Sequence, residues 1–163
     1  MRKAFSLAAG LLALAIVNFS VYQRETLLRE GRIVLLELSP VDPRSLMQGD
    51  YMRLNFEVAD RAFPRLGGTA GGDGRIVVAI DPQGVARFSR FADARPLAPG
   101  EVALRYRIRG GRPNFATNAW FFQEGQAGVY ANARYGEFRV ARDGEMILTA
   151  LRGPRLERLA AAQ

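Results

Sequence analysis

The side chains able to do chemistry in this chain are few, and most of them are carboxylates and arginines. The 163 residues include no cysteine and no histidine, which removes thiol nucleophiles, disulfides, imidazole bases and the usual zinc, copper and haem ligand sets. Lys3 is the only lysine, so a lysine base, a Schiff base or a P-loop has nothing to build on. Three acids remain as candidates for a general acid/base pair or an oxygen-ligand cation site: Asp42, Asp50 and Glu124. Each also has a structural reading. Asp42 before Pro43 is an Asx-turn residue with Arg44 available to pair with it, Asp50 after Gly49 caps a turn by accepting backbone N–H bonds, and Glu124 is a helix-end carboxylate. Sequence spacing leaves both alternatives open, and it supplies neither an EF-hand pattern nor any cofactor motif.

These residues must be positioned by a fold whose apolar period is mostly two. Ile33–Leu38 is a β-branched, mostly apolar run that predicts a central strand. Tyr51–Val58 alternates, with Met52, Leu54, Phe56 and Val58 on one side and Tyr51, Arg53, Asn55 and Glu57 on the other. Arg75–Ile80 and Val85–Phe91 flank the turn signal Asp81-Pro82-Gln83-Gly84. Glu101–Arg109 alternates most strictly, with Val102, Leu104, Tyr106 and Ile108 inward, and Gly110-Gly111 supplies the positive φ of a tight hairpin before Asn114–Gln123 returns. Glu137–Ala141 and Glu145–Leu151 form a last pair across Arg142-Asp143-Gly144. One helix is predicted near Gln126–Tyr135, from Ala127, Tyr130, Ala131 and Arg134 on one face. In Trp120-Phe121-Phe122, the first and third rings share a face and Phe121 points the other way. The glycine-rich run Gly67–Gly74 reads as an excursion between hairpins.

The N-terminus differs in kind. Ala4–Tyr22 is 19 residues without a formal charge, about 28 Å as a helix and close to the roughly 30 Å of a bilayer's hydrocarbon. Arg2 and Lys3 precede it, which keeps the N-terminus in the cytoplasm. No A-x-A pattern follows the run, so an uncleaved anchor is predicted in place of a signal peptide. Gln23–Glu30 has helix-forming composition and Gly31 is a plausible C-cap. The expected organisation is therefore an anchor over residues 1–22, a helical stalk over 23–31, and a mainly β (β-rich α+β) domain over 32–163. That domain is an antiparallel sheet of about eight strands with one short internal helix.

The net charge is +7, but arginines are scattered singly along the chain and no basic cluster with interleaved aromatics occurs, which argues against nucleic acid as a partner. The segment between the first two strands is the most distinctive. Pro40 and Pro43 withdraw two amide donors and stiffen a loop that leads into Gly49-Asp50-Tyr51-Met52-Arg53-Leu54-Asn55-Phe56. This stretch resembles the G-D-Y-x-x-L-x-Y signature of the bacterial GDYXXLXY protein family, with Phe56 where the signature ends in Tyr. Pro40–Leu46 is similar to the family too, as are Ala119-Trp120-Phe121-Phe122-Gln123-Glu124-Gly125 and the chain from Gly144 toward Leu151. The resemblance implies a small membrane-anchored bacterial protein without an established activity, encoded beside or fused to multi-spanning membrane proteins. The phenylalanine at position 56, on the apolar face, implies a packed ring and no polar role for the last motif position.

A weaker likeness runs from Ser39 through Pro43 to Gly49-Asp50, which is similar to the S-M-x-P-T-L-x-x-G-D pattern of type I signal peptidases. That chemistry needs a lysine amine beside the serine, and Lys3 lies on the far side of the predicted membrane; the Ser-to-Pro spacing is also one residue too long. Two function classes follow. The first is a non-enzymatic domain outside the cytoplasmic membrane, in the periplasm or on the outer face, held by residues 4–22 as an accessory to a multi-spanning membrane protein. Its motif residues Asp42, Arg44, Gly49, Asp50, Tyr51, Arg53 and Glu124 would be the interface or ligand candidates. The alternative is a carboxylate-dependent or metal-assisted enzyme or ligand binder at the membrane surface. Convergence of Asp42, Asp50 and Glu124 in a concave site would favour the alternative.

Overall fold

The structure, a computed structural model, describes residues 2–39, 47–48, 51–64 and 72–160, with backbone alone for 2–9 and 47–48. A single helix α1, Arg2–Glu30, runs through the expected anchor and stalk without a break. Its apolar residues lie all round it, and Leu11, Leu12, Ile16, Phe19 and Val21 are all more than half exposed. The side chains of α1 are described from residue 10 on, so the expected span over 4–22 is only partly covered; among the described residues no helix is long and apolar enough to cross a membrane. Among the described residues the helix packs on the sheet near its C-terminal end, where Leu27 is buried. Gly31 closes that end: its N–H donates to the Leu27 carbonyl at 2.9 Å, and Arg139 Nη1 donates to the Gly31 carbonyl at 3.0 Å. A Cβ on Gly31 would lie 2.4 Å from the Leu27 carbonyl oxygen, so close approach is what requires glycine there.

The strands are β1 (Arg32–Glu37), β2 (Met47–Gln48), β3 (Tyr51–Arg53), β4 (Gly74–Ile80), β5 (Val85–Phe91), β6 (Glu101–Arg109), β7 (Arg112–Asn114), β8 (Ala119–Phe121), β9 (Tyr135–Val140), β10 (Met146–Arg152) and β11 (Arg158–Leu159). Two further helices are short, α2 (Glu57–Ala62) and α3 (Ala127–Tyr130). Eight strands form one sheet in the order β11-β10-β9-β1-β5-β4-β6-β7, and three form a small sheet, β2-β3-β8. The large sheet is mixed and not purely antiparallel, because β1 and β5 run parallel, with Leu35 opposite Val85. A parallel neighbour needs a long crossover, and residues 38–84 provide it, carrying β2, β3, α2 and β4 on the way.

The apolar alternations are met at the core. Val34 and Leu36 of β1, Ile76 and Val78 of β4, Leu104 and Tyr106 of β6, and Phe138 of β9 belong to one buried cluster with Met52, Leu54, Phe56 and Val58. The predicted strand over Tyr51–Val58 nevertheless stops early. Phe56 makes a single antiparallel bridge to Leu38, and Glu57 then opens α2, with acids in its first turn and Val58 and Ala62 buried four residues apart. The apolar face continues while the backbone changes period. The predicted return strand Asn114–Gln123 is likewise split into β7 and β8. Thr117 Oγ1 accepts from Ala119 N–H, and Asn118 Nδ2 donates to the Pro113 carbonyl, both at 3.2 Å. These local side-chain bonds replace a ladder, and Ala116 adopts φ 57° between them. The predicted helix near Gln126–Tyr135 is a single turn, because Gly125 takes φ 83° and Arg134 already pairs across to the Arg152 carbonyl.

The sheet curls on itself. The tip of the β9–β10 hairpin reaches β6, where Arg105 N–H donates to the Gly144 carbonyl at 2.9 Å, and Arg105 Nη1 bonds Glu145 at 2.9 Å. Gly144 has φ 89°, and a Cβ there would stand 3.1 Å from the Ala103 carbonyl oxygen. At the other end of the same strands a carboxylate is sealed in. Glu137 is fully buried, accepting from Arg152 Nε at 2.6 Å, from Arg158 and from Thr149 Oγ1 at 3.3 Å. Burial pushes its pKa up, but the bonds and charges of Arg158 and Arg152 outweigh that and hold it below the ordinary carboxylate range. This pins the two-residue strand β11 to the sheet.

Two outcomes follow from these contacts. Gly144→Ala should cost about 2 kcal/mol in chemical denaturation, from a left-handed backbone and a crowded seam, and an unchanged midpoint would mean that the hairpin tip does not close the sheet. Because the Glu137 pKa is depressed on folding, its contribution is present above the unfolded value and lost as pH falls through the folded one. Glu137→Gln should therefore cost about 2 kcal/mol at neutral pH and progressively less in acid, below about pH 4. A penalty independent of pH would show that the ion pairs contribute nothing.

Candidate functional site

The large sheet has two ends. The base holds the end of α1, the start of β1 and the β9–β10 hairpin; the far end holds the β6–β7 hairpin at Gly110-Gly111, both glycines at positive φ, and the point where β1 leaves toward the signature segment. Six residues of strand separate these ends along β1, roughly 20 Å.

The signature segment divides by face. Met52, Leu54 and Phe56 are 3%, 1% and 1% exposed, as the alternation predicts, and the Phe56 ring packs edge-on to Phe138 at 5.5 Å and to Phe115 at 6.4 Å. The phenylalanine in place of the signature's last tyrosine is thus a core residue. Tyr51 and Arg53 lie on the opposite face of β3. Tyr51 stands opposite Phe121 and Arg53 opposite Ala119 in the β3–β8 register. The Tyr51 and Phe121 rings are 5.8 Å apart, and Phe121 is 73% exposed. On the inner face Trp120 and Phe122 pack on Tyr130 of α3, at 5.9 and 5.5 Å, which is the side assignment that the Trp120-Phe121-Phe122 spacing predicts.

Of the other predicted site residues, Glu124 is exposed in the turn after β8, away from any ion pair among the described residues. Asp42, Arg44, Gly49 and Asp50 lie outside the described residues, as does most of Gly67–Gly74. The meeting of Asp42, Asp50 and Glu124 is therefore not observed, and among the described residues no three acids, histidines or cysteines gather as metal ligands.

Two groupings at the far end are not evident from sequence spacing. A cleft of about 460 Å³ lies between the end of β1, α2 and the β6–β7 hairpin, lined by Ser39, Asn55, Asp60, Arg112 and Asn118 with Phe56 and Phe63 beneath. Ser39 Oγ donates to Asp60 Oδ2 at 2.5 Å, and Ser39 N–H donates to the Asn55 carbonyl at 2.9 Å. The lining offers a hydroxyl, a carboxylate, two amides and a guanidinium, all hydrogen-bonding groups. Beside it, Glu37 at the end of β1 faces Glu57 at the start of α2. Burial, the bond to Glu57 and the Glu57 charge raise the Glu37 pKa above the ordinary value. Glu57 goes the other way, chiefly through its bond to Arg61 Nε at 2.7 Å. The one available signal was Asn55 within the signature and Asp60 just beyond it; the partners Ser39, Arg112 and Asn118 come from three other segments.

No curated protein and no solved structure matches the chain. A family model described as GDYXXLXY protein matches residues 13–151, a range that takes in α1 from residue 13, the signature, the small sheet, β9 and all but the last residue of β10. The chain belongs to the GDYXXLXY protein family.

Proposed function

We propose that the protein is a membrane-anchored interaction domain: α1 lies in the cytoplasmic membrane through residues 4–22, the sheet domain stands outside it, and the outer face of the small sheet engages a multi-spanning membrane partner. The observation that carries this reading is the state of α1. Leu11, Leu12, Leu14, Ile16, Val17, Phe19 and Val21 are 58–64% exposed on a helix whose buried contact with the sheet is at Leu27, near its end. In water that much uncovered apolar surface is costly, at about 25 cal/mol per Å²; in hydrocarbon it is satisfied, and the helix satisfies its own backbone. Arg2 and Lys3 before the uncharged run support an inward N-terminus, against Arg24 and Arg29 on the other side.

The partner-binding part of the reading rests on Phe121, Tyr51 and Arg53, which share one face. An exposed phenylalanine next to a tyrosine and an arginine has the composition of an interface centre. This face lies at the end of the sheet far from α1, so a partner reaching it must extend beyond the bilayer surface.

The full chain should sediment with membranes, resist high salt and alkaline carbonate, and come free only in detergent, with its N-terminal residues intact by mass. A soluble, N-terminally shortened product would overturn the anchor. Phe121→Ala should change the thermal midpoint little, within about 0.5 kcal/mol, while weakening co-purification with a cross-linked multi-spanning partner by at least tenfold, about 1.4 kcal/mol. Unfolding by this substitution would show that the face is part of the core.

A further inference from the structure

A second and larger cleft, of about 1070 Å³, lies at the base of the sheet between the last turns of α1, the start of β6 and the β9–β10 hairpin. Its lining begins on α1 at Ser20 and Tyr22, where the uncharged run ends. If α1 spans the bilayer as proposed, the mouth of the cleft is at the level of the lipid headgroups.

The charges around it are unevenly satisfied. Glu101 is held by Arg90 at 3.1 Å, and Asp143 and Glu145 by Arg105 at 3.6 and 2.9 Å. Arg24, Arg32 and Arg142 also line the cleft, and among the described residues none of them makes an ion pair or a side-chain hydrogen bond. Glu30 is the one lining acid in the same condition. Over the whole lining four arginines meet four carboxylates; with Glu101 held by Arg90, and Asp143 and Glu145 shared between Arg105 and Arg107, the latter 3.9 Å from Glu145, three guanidinium groups are left facing one carboxylate. They come from three separate elements, the last turns of α1, the first residue of β1 and the hairpin tip, so the fold and not a sequence cluster brings them together. Leu97, 46% exposed, adds an apolar patch to the wall.

We propose that this cleft binds the phosphodiester of an anionic phospholipid, with Arg24, Arg32 and Arg142 as its cationic contacts. Planar guanidinium groups match phosphate oxygens in paired hydrogen bonds, the exposed Leu97 suits the glycerol end of a lipid better than a free ion, and the hairpin closed by Gly144 holds one arginine in place. The inference rests on the bilayer reading of α1. Its consequence is that the sheet is fixed in orientation at the membrane surface and does not swing on the end of its helix.

The test uses purified full chain in detergent micelles, with retention of short-chain phosphatidylglycerol or phosphatidylethanolamine read by native mass spectrometry and inorganic phosphate added in excess as competitor. Phosphatidylglycerol should be retained preferentially. Arg32→Gln and Arg142→Gln should each weaken retention by about fivefold, the usual worth of one cation at an anionic surface, while Arg32→Lys keeps most of it and Arg155→Gln, exposed in the turn after β10 and outside both clefts, changes nothing. Unchanged thermal midpoints would show that the variants are folded. Equal retention of the two lipids, full displacement by inorganic phosphate, or glutamine variants that bind like the parent would each overturn the proposal. Extraction of the chain from membranes by salt would remove the bilayer reading itself, whereas a firmly embedded chain with no lipid preference removes only the cleft.

Discussion

The buried ring of Phe56 is the contact on which the arrangement of this molecule turns. It is 1% exposed and packs edge-on between Phe138 of β9 and Phe115 of the loop after β7. Room for it exists because residue 136 is glycine; a Cβ there would come within 3.1 Å of the ring. The backbone of Phe56 bridges to Leu38 just after β1, and its carbonyl accepts the first hydrogen bonds of α2, from Ala59 and Asp60. Phe56 thus joins the large sheet, through its ring, to the start of α2, through its carbonyl. Truncation of a buried phenylalanine costs about 3–5 kcal/mol, a large part of the total stability of a domain this size.

With Phe56 fixed, the two faces of the signature acquire separate roles. Met52 and Leu54 continue the core, and Tyr51 and Arg53 are turned to the side where Phe121 is exposed. The polar cleft around Ser39 and Asp60 forms where β1 and α2 meet over the same ring. At the opposite end, Gly144 and Arg105 close the hairpin against β6, and that closure shapes the cleft beside α1. The molecule therefore has a helix end and a signature end, separated by the length of its strands. In the proposed reading the first faces lipid and the second faces a partner.

Much of this order is legible in the sequence, and the places where it is not share a physical cause. The strands β1, β4, β5, β6, β9 and β10 follow from alternation or apolar runs, and the turns at Gly84, Gly110-Gly111 and Gly144 from residues that tolerate positive φ. The parallel pairing of β1 with β5 could not be read, because period reports which face is buried and not which strand lies alongside. Val58 fits a strand and a helix equally well, since positions 54, 58 and 62 are four apart, and the acids at 57 and 60 were the only hint that α2 had begun. The face of Phe121 follows from the alternation with Trp120 and Phe122, whereas its 73% exposure does not. The cleft lined by Ser39, Asp60 and Arg112, the pair Glu37 and Glu57, and the arginines beside α1 each combine residues from distant segments, and no spacing rule connects them. Buried Glu137 reads in the sequence as the polar start of an alternating strand; only the arrival of β10 and β11 supplies Arg152 and Arg158 to neutralise it.

The central claim, that the sheet domain stands on a bilayer with its signature end outward, is open to one direct measurement because the chain has no cysteine. A fluorophore on a single cysteine introduced at Arg142, in the base hairpin, or at Arg112, in the far hairpin, can be read against a quencher attached to lipid headgroups in vesicles holding the full chain. The account predicts strong quenching at position 142 and little at position 112, which lies roughly 20 Å or more farther from the surface. Equal quenching at both positions, or stronger quenching at 112, would contradict it.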